Sequence, residues 1–209
     1  MDRVYLQTVV PQLANHHILV VGDLFLDEYL IGQALRLSRE APIPVLEFKE
    51  QRRLPGGGAN PSVNIVALGA RVTQVGVIGD DDAGQALMNL LTERKIGVEG
   101  IVVDPDRPTT TKTRIVARGS LRFPQQVARM DKIDRRPLSP EIEARVMTRI
   151  EELAARVDAI LISDYGSGLV TEGVVAAVRR TQNPERIICV DTQGPVSYTH
   201  LTLPTTPYV

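Results

Sequence analysis

Ile18-Leu19-Val20-Val21-Gly22-Asp23 is four aliphatic residues, three of them β-branched, closed by a glycine and a carboxylate. A run of this kind, without polar alternation, reads as a strand buried on both faces and ended by a turn. Val72 to Gly79, Asp158 to Ser163 and Arg186 to Asp191 have the same character. Near-continuous apolar strands suit a parallel sheet covered on both sides. The stretches between them are helical in pattern. Ile142, Val146, Ile150, Leu153 and Val157 form one apolar stripe at steps of three and four, with Ser139 placed to cap it and Pro140 tolerated in its first turn. Ala83, Leu87, Leu90 and Leu91 mark an earlier helix, and Val174, Val175 and Val178 a later one. Strands alternating with helices at this spacing give an α/β fold, a mostly parallel sheet with helices on both faces.

Two segments depart from that rhythm. Ile43 to Glu50 and Thr109 to Val116 alternate polar with apolar residues, and are expected as antiparallel strands outside the main sheet, a small β flap over one of its edges. Pro195 to Val209 holds three prolines and four threonines but no glycine and no charged residue, and reads as irregular and foreign to the fold.

The composition excludes several classes. At about 150 residues per domain, 209 residues make one large domain or one and part of another. The net charge of −1, from 24 cations and 25 anions, is wrong for a chain whose main partner is nucleic acid. A single cysteine, Cys189, permits no intrachain disulfide and no cysteine metal cluster, and it is expected as an apolar filler in a buried strand. No signal-peptide pattern opens the chain, and no apolar run approaches the roughly 18 residues of a membrane helix. A soluble cytoplasmic protein is expected. No histidine pair has metal-ligand spacing, and the arginine dipeptides lack interleaved aromatics.

The strongest local signal is Leu54-Pro55-Gly56-Gly57-Gly58-Ala59-Asn60-Pro61-Ser62. Three glycines let the main chain pass close to a ligand. Asn60 is placed to cap the following helix, with Pro61 at its first position, and the N–H groups there suit hydroxyls or an anion. A tight turn with Asn60 acting only as a cap is the competing reading. Neither a Walker loop nor a Rossmann Gly-x-Gly-x-x-Gly after a strand is present. Gly22-Asp23-Leu24-Phe25-Leu26-Asp27 follows the first strand at the carboxyl edge, where open α/β sheets bind ligands. Asp27 is the better placed carboxylate to accept two sugar hydroxyls at once; as a helix cap it would look the same.

These pieces resemble the ribokinase and phosphofructokinase-B family of carbohydrate kinases. Gly56 to Gly79 matches the family's first signature through the glycine loop, Asn60, Ser62, Gly69 and Gly79, and the likeness runs from about Ile18 to Asp191. Leu37-Ser38-Arg39-Glu40-Ala41-Pro42-Ile43-Pro44-Val45, with Thr111 to Arg114, Gln125 to Asp131 and Ser163 to Gly166, looks most like the kinases of D-glycero-D-manno-heptose 7-phosphate, which serve ADP-heptose and lipopolysaccharide synthesis. The resemblance implies a ribokinase-like domain over 1–194 with a lid from about 33–54 and 109–118, and a tail at 195–209. It implies ATP and Mg²⁺ as cofactors, a sugar phosphate as substrate and a homodimer formed through the lid. Asp27 and Asn60 would hold sugar hydroxyls, with the backbone of Gly57 and Gly58 approaching the ring. Lys112 and Arg114, on one face of a flap strand, would hold a dianionic phosphate; two solvated strand charges would look the same. Arg129 and Asp131 repeat that spacing with the same ambiguity. Asp164, at a strand end, would face the phosphate or metal region or serve as a turn residue.

Departures from the family pattern bear on activity. Ser167 stands where the heptose kinases usually carry lysine, and Ser120 to Pro124 looks like a small insertion. The Gly-Ala-Gly-Asp loop carrying the family's catalytic aspartate and its Asn-x-x-Glu motif are both missing. Phosphoryl transfer depends on such positioning and charge-stabilising parts. No catalytic residue and no metal ligand is therefore assigned. The chain is expected to be truncated and inactive alone, with a sugar-phosphate-binding fragment or a non-catalytic regulatory α/β protein as the alternatives.

Overall fold

Leu19 and Val21 turn to one side of strand β1 (His17–Gly22) and Val20 to the other, and none of the three retains any exposure. β1 sits at the centre of a five-stranded parallel sheet in a computed structural model that describes residues 3–119 and 124–192. The sheet order is β5-β4-β1-β8-β9, with β4 at Arg71–Gly79, β5 at Gly97–Asp104, β8 at Ala159–Asp164 and β9 at Ile187–Thr192. A short helix α1 (Arg3–Val9) precedes β1.

Each face of this sheet carries its own apolar cluster. Leu19, Val21, Val75 and Ile162 pack under α4 (Pro140–Ala154) and α5 (Glu172–Arg180). Val20, Val72 and Ile78 pack under α2 (Ala59–Ala67) and α3 (Asp82–Glu93). Two covered faces are why β1 has no polar alternation. The apolar stripe of α4 is buried at Ile142, Val146, Ile150 and Leu153, and Ser139 Oγ accepts the Ile142 N–H as its cap. Inside the second cluster lies one polar pair. Ser62 Oγ donates to Gln74 Oε1 at 2.5 Å, and Gln74 Nε2 donates to the Val20 and Val75 carbonyls, so two buried polar side chains satisfy each other and tie α2 to β4.

A second sheet stands off the carboxyl edge of the first. Its order is β3-β2-β6-β7, from β2 (Leu24–Leu37), β3 (Pro44–Gly57), β6 (Thr110–Arg118) and β7 (Gln125–Lys132). The flap expected over residues 33–54 and 109–118 is therefore larger, starting at Leu24 and adding β7. It is also mixed: β2 pairs antiparallel with β3 but parallel with β6, which pairs antiparallel with β7. The chain leaves β1 at Gly22 and enters β2 at Leu24, so the lid is continuous with the central strand rather than hung on a loop.

Two further expectations change. Helix α2 begins at Ala59, and Gly58 occupies its N-cap position without a side-chain cap. Asn60 and Pro61 lie inside the first turn, because Gly58 gives its N–H to the Asp23 carbonyl and turns the chain into the helix two residues early. Cys189 is exposed, not buried. Ile188 faces the core, and its neighbours on β9, the last strand of the sheet, point to a side that nothing covers among the described residues. The 195–209 tail and residues 120–123 of the Ser120 to Pro124 insertion lie outside the described residues.

Candidate active site

Asp27 is not at the end of β1; it stands on β2, where register pairs it with Leu54 of β3 and Lys112 of β6. The helix-cap alternative for Asp27 therefore falls away. Alternation along the strands puts Phe25, Asp27 and Tyr29 on the same lid face as Lys112 and Arg114, with Arg129 and Asp131 paired opposite them from β7. The sequence candidates on β2 and β6 thus share one surface.

The contacts on that face are specific. Arg114 Nη1 lies 2.7 Å from Asp27 Oδ1 and its guanidinium lies over the Tyr29 ring at 5.2 Å. The hydrogen bond that Arg114 donates to Asp27 holds the Arg114 pKa above its ordinary value. Lys112 Nζ sits 4.0 Å above the Phe25 ring and 5.8 Å from that of Tyr165. Burial lowers the Lys112 pKa, against the pull of Asp131 and Asp27. Arg129 Nε pairs with Asp131 Oδ1 at 2.9 Å.

The glycine loop forms the floor of this face. A Cβ on Gly56 would lie 2.3 Å from Asp27 Oδ2, so the bare glycine is what gives the carboxylate its room. Gly57 has φ +56°, and a Cβ there would meet the Asp23 carbonyl and the Phe25 ring. A Cβ on Gly58 would press on the Gly22 backbone at 2.8 Å. Gly57 and Gly58 thus let the start of α2 close against the β1–β2 junction, and Asn60 is left exposed on the first turn beside it.

Asp23, which the sequence ranks below Asp27, organises the edge. It is 4% exposed and its two oxygens accept N–H groups of Tyr165 (2.9 Å), Ser167 (3.1 Å) and Leu169 (3.1 Å). Burial drives its pKa up, the three hydrogen bonds oppose that, and the Asp164 carboxylate adds to the rise. Tyr165 is held edge-on against Phe25, with ring centroids 5.2 Å apart. A carboxylate directly after a strand was the available signal; its partners, about 140 residues away, were not. Asp81 is a second such residue. It caps α3 through Gly84 N–H, accepts the Thr109 N–H, and pairs with Lys132 Nζ at 3.1 Å, fastening both inner ends of the β6–β7 hairpin to the core.

Residues 15–159 match the model of the pfkB family carbohydrate kinases. The chain belongs to that family. Among curated proteins, the pfkB chain is 41% identical over 195 residues to the Bifunctional protein HldE of Pelobacter propionicus and 36% identical over 195 residues to that of Geobacter metallireducens. Each alignment covers 93% of this chain and 39% of the relative, so the chain spans about two fifths of the length of these relatives. Among solved structures, the fold is similar to phosphofructokinase-2 of Escherichia coli in complex with fructose-6-phosphate, with TM-score 0.59 and 19% identity over 86% of this chain and 55% of that one. A carbohydrate kinase from Agrobacterium tumefaciens gives TM-score 0.59 and 18% identity over 84% of this chain and 53% of that one. These neighbours support the ribokinase-like fold.

The cofactors that the pfkB family implies find less support in the described residues. Asp164 Oδ1 accepts the Gly166 N–H and its Oδ2 accepts the Thr192 hydroxyl, so its contacts hold its own loop and β9. Asp23 is taken up by three N–H groups. Among the described residues no group of three or more His, Cys, Asp or Glu is placed to hold a metal ion. Asp164 and Asp23 are thus engaged within the fold, and no metal ligand is assigned among the described residues. No helix among them is long and apolar enough to cross a membrane.

Proposed function

We propose that the chain supplies the sugar-binding part of an ATP-dependent, Mg²⁺-assisted kinase that phosphorylates a sugar phosphate, heptose 7-phosphate on the route to ADP-heptose. The observation that carries this reading is the lid face itself. A carboxylate suited to hydroxyls, Asp27, stands among Lys112, Arg114 and Arg129, with Asp131 the other acid. Three cations against two carboxylates leave one positive charge unmatched, which a neutral sugar does not need and a phosphate does. The HldE relatives and the Leu37 to Val45 motif favour the heptose class.

In this reading Asp27 and the exposed Asn60 take sugar hydroxyls, the Gly57–Gly58 backbone approaches the ring, and Lys112 and Arg114 hold the phosphate already present. Asp164 is the candidate nearest the phosphoryl donor by its place at the sheet edge. The 209-residue chain alone binds without turnover, since the aspartate loop is missing from its sequence. A coupled assay for ADP release on the full-length gene product decides the substrate: heptose 7-phosphate is expected to turn over well above ribose and fructose 6-phosphate. No turnover of any of them sinks the kinase reading, and turnover by the 209-residue chain sinks its inactivity.

The lid also exposes Leu35, Leu37, Phe48 and Met130, each at least 60% accessible. Exposed apolar side chains on a sheet with open edge strands invite pairing, and a second copy of the chain is the occupant we propose for them. Sedimentation at micromolar concentration is expected to show two chains; a monomer that persists to high concentration rejects the dimer.

A further inference from the structure

The two side chains expected to grip different parts of the substrate are bound to each other. Arg114 Nη1 and Asp27 Oδ1 are 2.7 Å apart, with the side chains 21% and 22% exposed. The oxygen that faces Arg114 is thereby committed, and Asp27 Oδ2 lies against the main chain of Gly56. In this state hydroxyls must compete with Arg114 for the carboxylate's acceptor positions.

We infer that Arg114 masks Asp27, and that an anionic group on the substrate unmasks it. This rests on the sugar-phosphate reading above. A phosphate arriving on the lid face draws the guanidinium off the carboxylate and replaces its partner. Asp27 then accepts hydroxyls from the same molecule. A neutral sugar must break a partly buried ion pair and can offer the guanidinium only hydroxyl oxygens, weaker acceptors than a phosphate. The face therefore selects phosphorylated sugars by competition at Asp27 as well as by attraction to its cations.

The surroundings suit such an exchange. Arg114 already rests on the Tyr29 ring at 5.2 Å, a contact that leaves the edge of the guanidinium able to turn between acceptors. Arg129 is its register partner on β7 and is itself tethered to Asp131, so an anion that attracts Arg114 meets a second cation beside it. Lys112 is held by aromatic rings and makes no ion pair among the described residues, which leaves its charge directed at the same space.

Calorimetric titration of the 209-residue chain with heptose 7-phosphate, the unphosphorylated heptose and inorganic phosphate tests this. Arg114→Gln is expected to bind the phosphorylated sugar about tenfold more weakly and the unphosphorylated sugar about threefold to fivefold more tightly, as a partly exposed pair of modest strength is removed. Asp27→Asn keeps the side-chain shape, releases Arg114, and is expected to tighten inorganic phosphate about threefold. If the wild-type chain binds the sugar phosphate but Arg114→Gln weakens both sugars or leaves the unphosphorylated one unchanged, masking is wrong and the proposed function stands. An unchanged phosphate affinity in Asp27→Asn also overturns masking, and carries the test if Arg114→Gln does not fold. Failure of wild type to bind either sugar overturns the sugar-phosphate reading and the masking with it.

Discussion

Asp23→Ala is expected to lower the unfolding free energy by about 3 kcal/mol, because three N–H groups lose their acceptor at about 1–3 kcal/mol each while the cost of burying a charge is relieved. The donors belong to Tyr165, Ser167 and Leu169, so the loss is concentrated in the segment after β8. Urea unfolding reads the global effect, and hydrogen exchange at these amides reads the local one. Unchanged protection there would refute the anchoring role. The pH dependence has a definite sign. Burial keeps the Asp23 pKa in the folded chain above its ordinary value of 3.8, so between 3.8 and that raised value the folded state binds more protons than the unfolded one. Stability from Asp23 is then greatest in acid and declines as pH rises through this window. The difference between wild type and Asp23→Ala is expected to shrink over the same window and to level off above it. A difference that grows with pH would contradict the burial argument.

The Asp23 case also shows what the sequence could and could not reveal. Leu19, Val20 and Val21 announce a doubly covered strand because burial on both faces writes itself into consecutive residues, and the Ile142 to Leu153 stripe announces α4 by the same logic. The boundary between the two sheets is less visible. The turn at Gly22-Asp23 is legible, but not that Leu24, Phe25 and Leu26 open a new strand with its own partners. Local sequence is blind to that strand's start, because Gly58 and Ser163, from distant segments, hold the Asp23 backbone through its carbonyl and its N–H. Asn60 is not the cap for a similar reason: the hydrogen bond from Gly58 N–H to the Asp23 carbonyl, made across the fold, starts the helix before Asn60 is reached. At the lid face, side-chain alternation placed Lys112 and Arg114 together, but their partners depend on register with β2 and β7, which no single strand encodes.

Gly56→Ala is expected to lower sugar-phosphate affinity by about a hundredfold or more while changing stability little, since two hydrogen bonds to a charged acceptor are worth about 1.5–3 kcal/mol each. The geometry separates Gly56 from the two glycines after it. At Gly56 the three atoms nearest the added methyl all belong to the Asp27 carboxylate, with Cγ at 2.7 Å and Oδ2 closer still. The backbone there carries no positive φ, so the strand itself is not strained. The carboxylate must swing away, losing its place on the lid face and its contact with Arg114, a part-exposed pair that contributes about 1 kcal/mol at most. At Gly57 the methyl meets the Asp23 carbonyl at 2.6 Å on a residue with φ +56°, and at Gly58 it meets the Gly22 main chain. Main chain cannot step aside as a carboxylate can. Alanine at either of these positions is expected to destabilise the β1–β2 junction by about 2 kcal/mol or more. Titration with heptose 7-phosphate and urea unfolding, run on the three variants together, should therefore split them: lost binding with a normal midpoint for Gly56→Ala, a lowered midpoint for the other two. If Gly56→Ala keeps full affinity, Asp27 does not hold the sugar. If all three lose stability alike, the loop is a packing device throughout and the sugar contact lies elsewhere.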